Sequence, residues 1–380
     1  MSAADSAVLD VAGAVREGEA LDVAAVDRWL KQQLPDLDGL PEVTQYSGGA
    51  SNWTYRLKYP RHDLILRRPP AGTKSAGAHD MAREYHVQAS LKPAYPLVPT
   101  LVALCQDPAV LGCDFYVMER LEGIIPRANL PRGLQLSVAQ TRQLCTHMLD
   151  ALIALHQVDV QKSGLSGLGK GEGYCQRQVE GWSKRYQKAK TPNVPSFAVV
   201  QHWLRRHIPA DSGVCVIHND WRFDNVVLNP DQPTEVIGVL DWEMATLGDP
   251  LMDLGSLLAY WVQADDDVVM RAVRRQPTHL PGMLTRREVV EYYLSRTGRD
   301  PANWAFYEVF GVFRLAVIAQ QIYYRYFHRQ TRNPQFKNFW LIIHRLHLRC
   351  LGLIARHEAR QRLSGKTARR PQSASAQERH

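Results

Sequence analysis

The chain has 380 residues, 45% hydrophobic and 22% charged, which allows two domains and excludes a collagen, a coiled coil and wholesale disorder. Its six cysteines are scattered without a C-x-x-C pair, so neither a disulfide framework nor a structural zinc is expected. The net charge is +8, but the segment from Arg325 onward holds thirteen basic and two acidic residues, so the rest is slightly acidic. This basic segment is interpreted either as a solvated surface or as an anion-binding one.

The first third of the chain has the pattern of a small antiparallel sheet. Residues 1–25 are rich in alanine and poor in large apolar groups, which predicts poor order, and helical spacing follows at 21–34. Alternating apolar residues then predict strands at 43–46, 53–59, 64–67, 101–104 and 115–119, with a helix at 78–91. Residues 26–120 are therefore predicted to form a small lobe of antiparallel sheet plus one helix.

After Gly123 the pattern changes to long helices with a few short strands among them. Helices are predicted at 138–156, 174–188, 198–207, 251–262, 286–296, 304–326 and 338–360, and strands at 214–217, 226–228 and 236–240. Charged residues interrupt the most apolar helix, and the N-terminus lacks a basic region before an apolar core. We therefore expect an α+β protein with a larger, mainly helical lobe at 121–363, a disordered basic tail at 364–380, no membrane span and a cytoplasmic location.

The residues that point to chemistry lie between the short strands of the helical half. His218, Asp220 and Asn225 form an H-x-D-x-x-x-x-N pattern, and Asp241 ends the next apolar run. Phosphoryl transfer from a nucleotide needs a carboxylate for the acceptor proton, oxygen ligands for Mg²⁺ and a cation for the developing charge. Asp220 fits the first role, Asn225 and Asp241 the metal roles, and Arg222 the last. Each residue alone is more often a turn former, so the spacing of the set carries the prediction.

Seven segments between Gly39 and Arg360 extend this pattern over most of the chain. They are YSGGASNWTYRL, LILRRPP, AREYHVQASL, FYVMERLEG, GYCQRQVEGW, HNDWRFDN and VLDWEMATLGDPLMDL. In these segments the chain resembles the aminoglycoside phosphotransferase / choline kinase superfamily, and within it the phosphotransferase domains associated with acyl-CoA dehydrogenases. The resemblance implies a two-lobed protein-kinase-like fold that uses ATP and Mg²⁺. Asn219 is a departure, because glycine is common there in the family.

The resemblance also assigns residues of the small lobe to the nucleotide. Strand alternation places Ile65 and Arg67 on one face, so Ile65 would lie against the adenine and Arg67 near the phosphates. Glu84 on the following helix would pair with Arg67. The neighbouring Arg68 is the alternative for that role.

Two backbone segments complete the nucleotide site that the resemblance implies. Amide groups around Gly48, Gly49 and Ser51 would cover the phosphates, although a plain hairpin turn has the same composition. Glu119 and Leu121 would bond the adenine edge through their backbone, although an ordinary connector would look much the same.

Three other residues are expected to support the site. Asp249 before Pro250 is typical of a helix N-cap, and Asp253 resembles the buried aspartate that braces the catalytic loop in the family. His218 is expected to brace the same loop.

The acceptor is a small-molecule hydroxyl compound that the fold does not identify. The basic C-terminal helices favour a neutral or anionic acceptor, and the resemblance indicates a hydroxyacyl-CoA or hydroxy acid and a link to enzymes of acyl-CoA metabolism. Arg177, Trp182 and Tyr260 are candidate pocket residues, although helix packing explains each equally well.

Three alternatives remain at this point. One is a choline-, homoserine-, sugar- or aminoglycoside-type kinase, and another is a non-catalytic nucleotide-binding scaffold. The third, a nucleic-acid binder, is not expected, because no Phe, Trp or Tyr follows Trp340 and no recognition motif accompanies the basic segment.

Overall fold

Short strands dominate the first part of the chain and helices the remainder, in a computed structural model that describes residues 9–46, 52–70 and 79–367. The strands are β1 (Glu42–Gln45), β2 (Trp53–Lys58), β3 (Asp63–Arg68), β4 (Leu101–Cys105), β5 (Phe115–Glu119), β6 (Cys215–Ile217), β7 (Val226–Leu228), β8 (Val236–Val239) and β9 (Thr246–Gly248). The helices are α1 (Val23–Gln33), α2 (Met81–Leu91), α3 (Pro108–Leu111), α4 (Val138–His156), α5 (Tyr174–Ala189), α6 (Ala198–Arg206), α7 (Pro250–Ala259), α8 (Val268–Ala272), α9 (Arg286–Thr297), α10 (Trp304–Phe327) and α11 (Phe339–Thr367). The predicted small antiparallel sheet followed by a mainly helical part is confirmed.

The chain divides into two compact units. The first comprises Met1–Tyr174 and Asp211–Asp300, and the second comprises Cys175–Ala210 and Pro301–His380. All nine strands named above lie in the first unit. The predicted boundary between residues 26–120 and 121–363 stays a prediction.

The five-stranded sheet of the first unit has the order β1-β2-β3-β5-β4, and its neighbouring strands are antiparallel. Side chains alternate across β3 as predicted. Leu64 and Leu66 belong to the apolar core that also contains Leu30 of α1, whereas Ile65 packs with Met118 on the opposite face. The alternation leaves Ile65 and Arg67 together on the face that borders a cavity.

Two small sheets hold the loops that carry the H-x-D-x-x-x-x-N pattern. β6 pairs with β9 and β7 pairs with β8, both antiparallel. The strand β9 is missing from the sequence prediction, because a three-residue segment ending in glycine has no periodicity to detect. The chain then continues from β9 into α7, and Asp253 of α7 reaches the loop that begins at His218.

The start of the described chain differs from the prediction of poor order over residues 1–25. Gly13 exchanges two backbone hydrogen bonds with Gln45, at 2.9 and 2.8 Å. Backbone pairing and polar contacts help to hold this segment in place. A low content of large apolar side chains therefore does not by itself predict poor order here.

The second unit contains α5, α6, α10 and α11. Tyr186, Phe197 and Phe313 form an aromatic cluster, with the rings of Tyr186 and Phe197 4.8 Å apart. Within the described residues, α10 is long and apolar enough to cross a membrane, and 67% of its most apolar window is buried in the protein. A helix in the core of a soluble protein can have the same length, hydropathy and burial.

Candidate active site

A buried aspartate fixes the loop that carries Asp220. Asp253 on α7 is fully buried and accepts hydrogen bonds from the backbone N–H groups of His218 at 2.8 Å and Asn219 at 2.9 Å. Asn219 has a φ of 67°, a conformation that asparagine tolerates better than most residues. The departure from glycine at this position is therefore accommodated.

Asp253 is itself held by a buried hydrogen-bonded pair. His156 Nε2 lies 3.1 Å from its Oδ2, and His156 Nδ1 lies 2.7 Å from the hydroxyl of Tyr293. Burial would raise the pKa of Asp253, but the contact with His156 and the backbone donors outweigh it and lower the pKa below its ordinary value.

Replacing Asp253 by asparagine is expected to lower the free energy of unfolding by about 1.5–3 kcal/mol, the worth of hydrogen bonds to a charged group. Because the folded-state pKa is lowered, this stabilisation is present above the ordinary pKa of 3.8 and is lost as the pH falls through the lower folded value. Urea denaturation of both proteins between about pH 7 and pH 3 measures it. A difference that stays constant or widens with falling pH would contradict this assignment.

The side chains of the loop converge on the carboxylate of Asp220. Arg222 Nη2 donates to Asp220 Oδ2 at 3.0 Å, and Asn225 Nδ2 donates to the same oxygen at 3.1 Å and to the Asp220 carbonyl at 2.8 Å. No donor in residues 9–46, 52–70 and 79–367 contacts Asp220 Oδ1, so this oxygen can accept from another donor, and the amide oxygen of Asn225 can bind a cation.

Arg222 lies between two carboxylates and an aromatic ring. Its Nε is 3.2 Å from Asp224 Oδ1, and its guanidinium carbon is 5.2 Å from the ring centre of Tyr260. Burial opposes the charge of Arg222, but Asp220 and Asp224 raise its pKa above the ordinary value. Burial also raises the pKa of Asp224. Tyr260 therefore packs against Arg222. Asp224 was not predicted from the sequence, and its position next to Asn225 is the one feature there that indicates a role in the site.

The predicted contact between Arg67 and Glu84 is present. Arg67 Nη2 lies 3.4 Å from Glu84 Oε1 and 3.0 Å from Asp241 Oδ1. Burial raises the pKa of Glu84 despite Arg67, and the hydroxyl of Tyr116 donates to its Oε1 at 2.9 Å. The guanidinium carbon of the alternative, Arg68, lies 5.1 Å from the ring centre of Trp53.

Asp241 sits on a sharp turn directly after β8. Its φ of 65° and ψ of 62° are left-handed, which is uncommon for a residue other than glycine and is typical of functional positions. His218 Nε2 contacts the carbonyl of the preceding Leu240 at 3.0 Å, and this contact joins the two loops. His218 is buried and bonded in this way, so it braces the site.

The predicted catalytic and metal residues and Arg67 border one cavity of about 290 Å³. It is bordered by Asp220, Arg222, Asp224, Asn225, Asp241 and Glu243, by Ile65, Arg67, Met118, Val227 and Leu240, and by the segment that contains Glu119, Arg120, Leu121, Gly123, Ile125 and Arg127. Its apolar part can hold a flat ring, and its polar part holds the carboxylates. Gly48, Gly49 and Ser51 lie outside the described residues.

The oxygen atoms in the polar part of the cavity suit Mg²⁺ as metal ligands. The Asn225 amide donates its N–H groups to Asp220, which directs its oxygen away from that residue. Asp241 uses Oδ1 for Arg67, and its other oxygen has no partner among residues 9–46, 52–70 and 79–367. Amide and carboxylate oxygens are the ligands that this cation prefers.

The predicted adenine contacts Glu119 and Leu121 lie at the end of β5 and just after it. Glu119 donates its N–H to Thr100 at 2.8 Å and Arg120 donates to Asp63 at 2.9 Å, whereas Leu121 lies beyond the strand. The contact of the Glu119 and Leu121 backbone with the adenine stays a prediction.

The remaining predicted residues lie in the second unit. Trp182 on α5 is buried between two arginines, with guanidinium carbons of Arg185 and Arg314 at 4.6 and 5.2 Å from its ring centre. Arg177 is partly exposed on the same helix. Their predicted contact with an acceptor stays a prediction.

A comparison with protein families matches residues 42–289 to the phosphotransferase enzyme family. Acyl-CoA dehydrogenase family member 10 of Mus musculus is 36% identical over 314 residues, which cover 82% of this chain and 29% of that protein. Acyl-CoA dehydrogenase family member 11 of Rattus norvegicus is 35% identical over 314 residues, covering 80% of this chain and 40% of that protein. The chain thus spans less than half the length of these relatives.

Solved structures share the fold. A protein of Ralstonia eutropha JMP134, assigned as an aminoglycoside phosphotransferase, is 30% identical with a TM-score of 0.76, covering 89% of this chain and 99% of that one. A mutant of the aminoglycoside phosphotransferase APH(4)-Ia, with AMP-PNP and hygromycin B, has a TM-score of 0.54 at 12% identity, covering 85% and 98%. At that identity the second likeness concerns the fold alone.

Proposed function

Because the chain belongs to the phosphotransferase enzyme family, we propose that it transfers the γ-phosphoryl group of ATP to a hydroxyl group of a small molecule. The observation that carries this proposal is the meeting of Asp220, Asn225 and Asp241 in one cavity with Arg67. A protein that only bound a nucleotide would not need a carboxylate such as Asp220, held with one oxygen left for a hydroxyl donor.

In the proposed reaction Asp220 orients the acceptor. Its Oδ1 accepts a hydrogen bond from the hydroxyl group and takes the proton as the hydroxyl oxygen attacks the γ-phosphorus, while the bond to ADP breaks. Arg222 and Asn225 hold Oδ2 at 3.0 and 3.1 Å and so fix the direction of Oδ1. Arg222 also supplies a positive charge beside the developing one.

The other side of the cavity is proposed to hold the nucleotide. Ile65 and Met118 pack together and would contact the adenine, and Arg67, kept in place by Glu84, would bind the phosphates. Asn225 and Asp241 would hold Mg²⁺, which when bound neutralises phosphate charge.

We propose a hydroxyacyl-CoA or a related hydroxy acid as the acceptor. Two observations support it: relatives that match about four-fifths of this chain are named as acyl-CoA dehydrogenase family members, and the segment from Arg325 onward is strongly basic. An anionic acceptor suits such a surface, and a polycationic aminoglycoside does not. The cytoplasmic location stays a prediction.

The acceptor is tested with purified protein, ATP and Mg²⁺, by measuring ADP release with hydroxyacyl-CoAs, free hydroxy acids, choline, sugars and aminoglycosides. We expect release above the acceptor-free background with hydroxyacyl-CoAs or hydroxy acids, and release that is about 10²–10⁴-fold slower with the Asp220→Asn variant. Comparing each thioester with its free acid shows whether the CoA group is recognised. Phosphorylation of an aminoglycoside, without turnover of any hydroxyacyl compound, would overturn the assignment.

A further inference from the structure

The segment Asp10–Glu19, which we call the N-terminal strap, runs beside β1 and reaches the nucleotide cavity. The two backbone hydrogen bonds between Gly13 and Gln45 anchor its middle. Gln45 is buried, its Oε1 accepts from the N–H of Arg16 at 2.9 Å, and its Nε2 donates to Glu19 at 2.6 Å. A buried amide satisfied on both sides by one segment holds that segment in a defined place.

The far end of the strap is fixed to the sheet as well. The hydroxyl of Tyr55 on β2 donates to the carbonyl of Glu19 at 2.6 Å. Arg16 also donates to the carbonyl of Tyr46, a residue that borders the cavity, at 3.3 Å. These anchors set the position from which the chain extends to Asp10.

Asp10 borders the cavity and forms an ion pair with another residue of the cavity lining. Its Oδ1 accepts from Arg127 Nη2 at 3.0 Å, and both residues line the cavity. Its Oδ2 has no partner in the described part of the chain, and its side chain is 22% exposed. A carboxylate at the rim of the cavity repels a triphosphate. We therefore expect Asp10 to face a part of the ligand that can donate a hydrogen bond to it.

The succession of residues along the cavity wall indicates which group of the ligand Asp10 would contact. The wall runs from the predicted adenine contacts at Glu119 and Leu121 through Ile125 to Arg127, and Ile124 is fixed to Leu228 by two backbone hydrogen bonds at 3.0 and 2.8 Å. The proposed phosphate ligand Arg67 and the proposed metal ligand Asp241 lie on other elements of the same cavity. The sugar of a nucleotide lies between its base and its phosphates, and its hydroxyl groups are donors that a carboxylate accepts.

We propose that Asp10 of the N-terminal strap accepts a hydrogen bond from a ribose hydroxyl of the bound nucleotide. This inference rests on the proposed ATP-binding function. The ion pair with Arg127 holds the Asp10 carboxylate in place and offsets its repulsion of the phosphates. The strap thereby selects ribonucleotides over deoxyribonucleotides.

The test compares the affinities of ATP, 2′-deoxy-ATP and 3′-deoxy-ATP by calorimetry in the presence of Mg²⁺. The wild-type protein is expected to bind ATP about tenfold more tightly than at least one deoxy analogue, the size of a hydrogen bond to a charged group. Asp10→Ala is expected to bind ATP about tenfold more weakly and to lose this discrimination. The control is Asp38→Ala, which removes an exposed aspartate–arginine pair of 2.9 Å outside the cavity and should bind all three nucleotides normally.

Three results would overturn the inference. In the first, Asp10→Ala retains the discrimination between ATP and the deoxy analogues. In the second, it weakens the binding of all three nucleotides equally, as a structural role predicts. In the third, the wild-type protein binds ATP without discriminating, which overturns the role of Asp10 and leaves the proposed function standing. Failure to bind ATP at all would instead remove the proposed function.

Discussion

Replacing Asp220 by asparagine is expected to lower turnover by about 10²–10⁴-fold, the usual contribution of acid–base assistance. The amide oxygen can still accept from Arg222 and Asn225, which contact one carboxylate oxygen at 3.0 and 3.1 Å, so the loop should keep its shape. The variant loses the basic oxygen that would take the hydroxyl proton. ATP affinity should change little, because the contact is with the acceptor.

Three measurements separate this role from a structural one. Turnover is measured with the acceptor found by screening, ATP affinity by calorimetry and stability by thermal unfolding. Asp231→Asn, at an exposed turn of the same unit, is the matched control and should behave as wild type. Wild-type turnover in Asp220→Asn, or a loss explained by a lower Tm, would remove Asp220 from the mechanism.

The parts of the fold that local pattern determines were predictable from the sequence. Leu64 and Leu66 had to share a face because β3 alternates, and that alternation also placed Ile65 beside Arg67. The cap at Asp249 was predictable for the same reason, since an aspartate before proline begins a helix, and its Oδ1 accepts from Leu251 at 2.7 Å.

Contacts between distant segments were not predictable from pattern alone. His156 of α4 contacts Asp253 of α7 and Tyr293 of α9 although the three residues are far apart in the sequence. The residues beside them in the sequence give no sign of these contacts. The N-terminal strap is a second case, because the buried side chain of Gln45, from a distant segment, bonds to it on two sides. Composition reports how much apolar area a segment can bury, and it does not report polar contacts supplied from elsewhere.

The contact between Arg67 and Asp241 was likewise absent from the sequence prediction, which paired Arg67 with Glu84 alone. In the structure Arg67 bonds both, at 3.0 Å to Asp241 and 3.4 Å to Glu84. The proposed metal ligand and the proposed phosphate ligand therefore neutralise each other. Nucleotide and cation must separate them, so each should favour the binding of the other.

Asp241→Asn is expected to reduce the increase in ATP affinity that Mg²⁺ produces by about tenfold or more. Two unit charges about 4 Å apart interact by about 4 kcal/mol at an effective dielectric constant of about 20, so the loss of one carboxylate removes a large part of the attraction for the cation. The same change frees Arg67 and removes a charge that repels phosphates. Metal-free ATP should therefore bind the variant more tightly than it binds wild type.

Calorimetry with ATP in EDTA and with ATP in excess Mg²⁺ measures both effects in each protein. The opposite signs distinguish this mechanism from simple damage to the site, because a misfolded cavity would weaken both forms of ATP. The control is Asp231→Asn, which should keep the wild-type ratio of the two affinities. Unchanged enhancement by Mg²⁺ in Asp241→Asn would show that Asp241 does not hold the metal. Weaker binding of metal-free ATP would show that its ion pair with Arg67 does not compete with the phosphates.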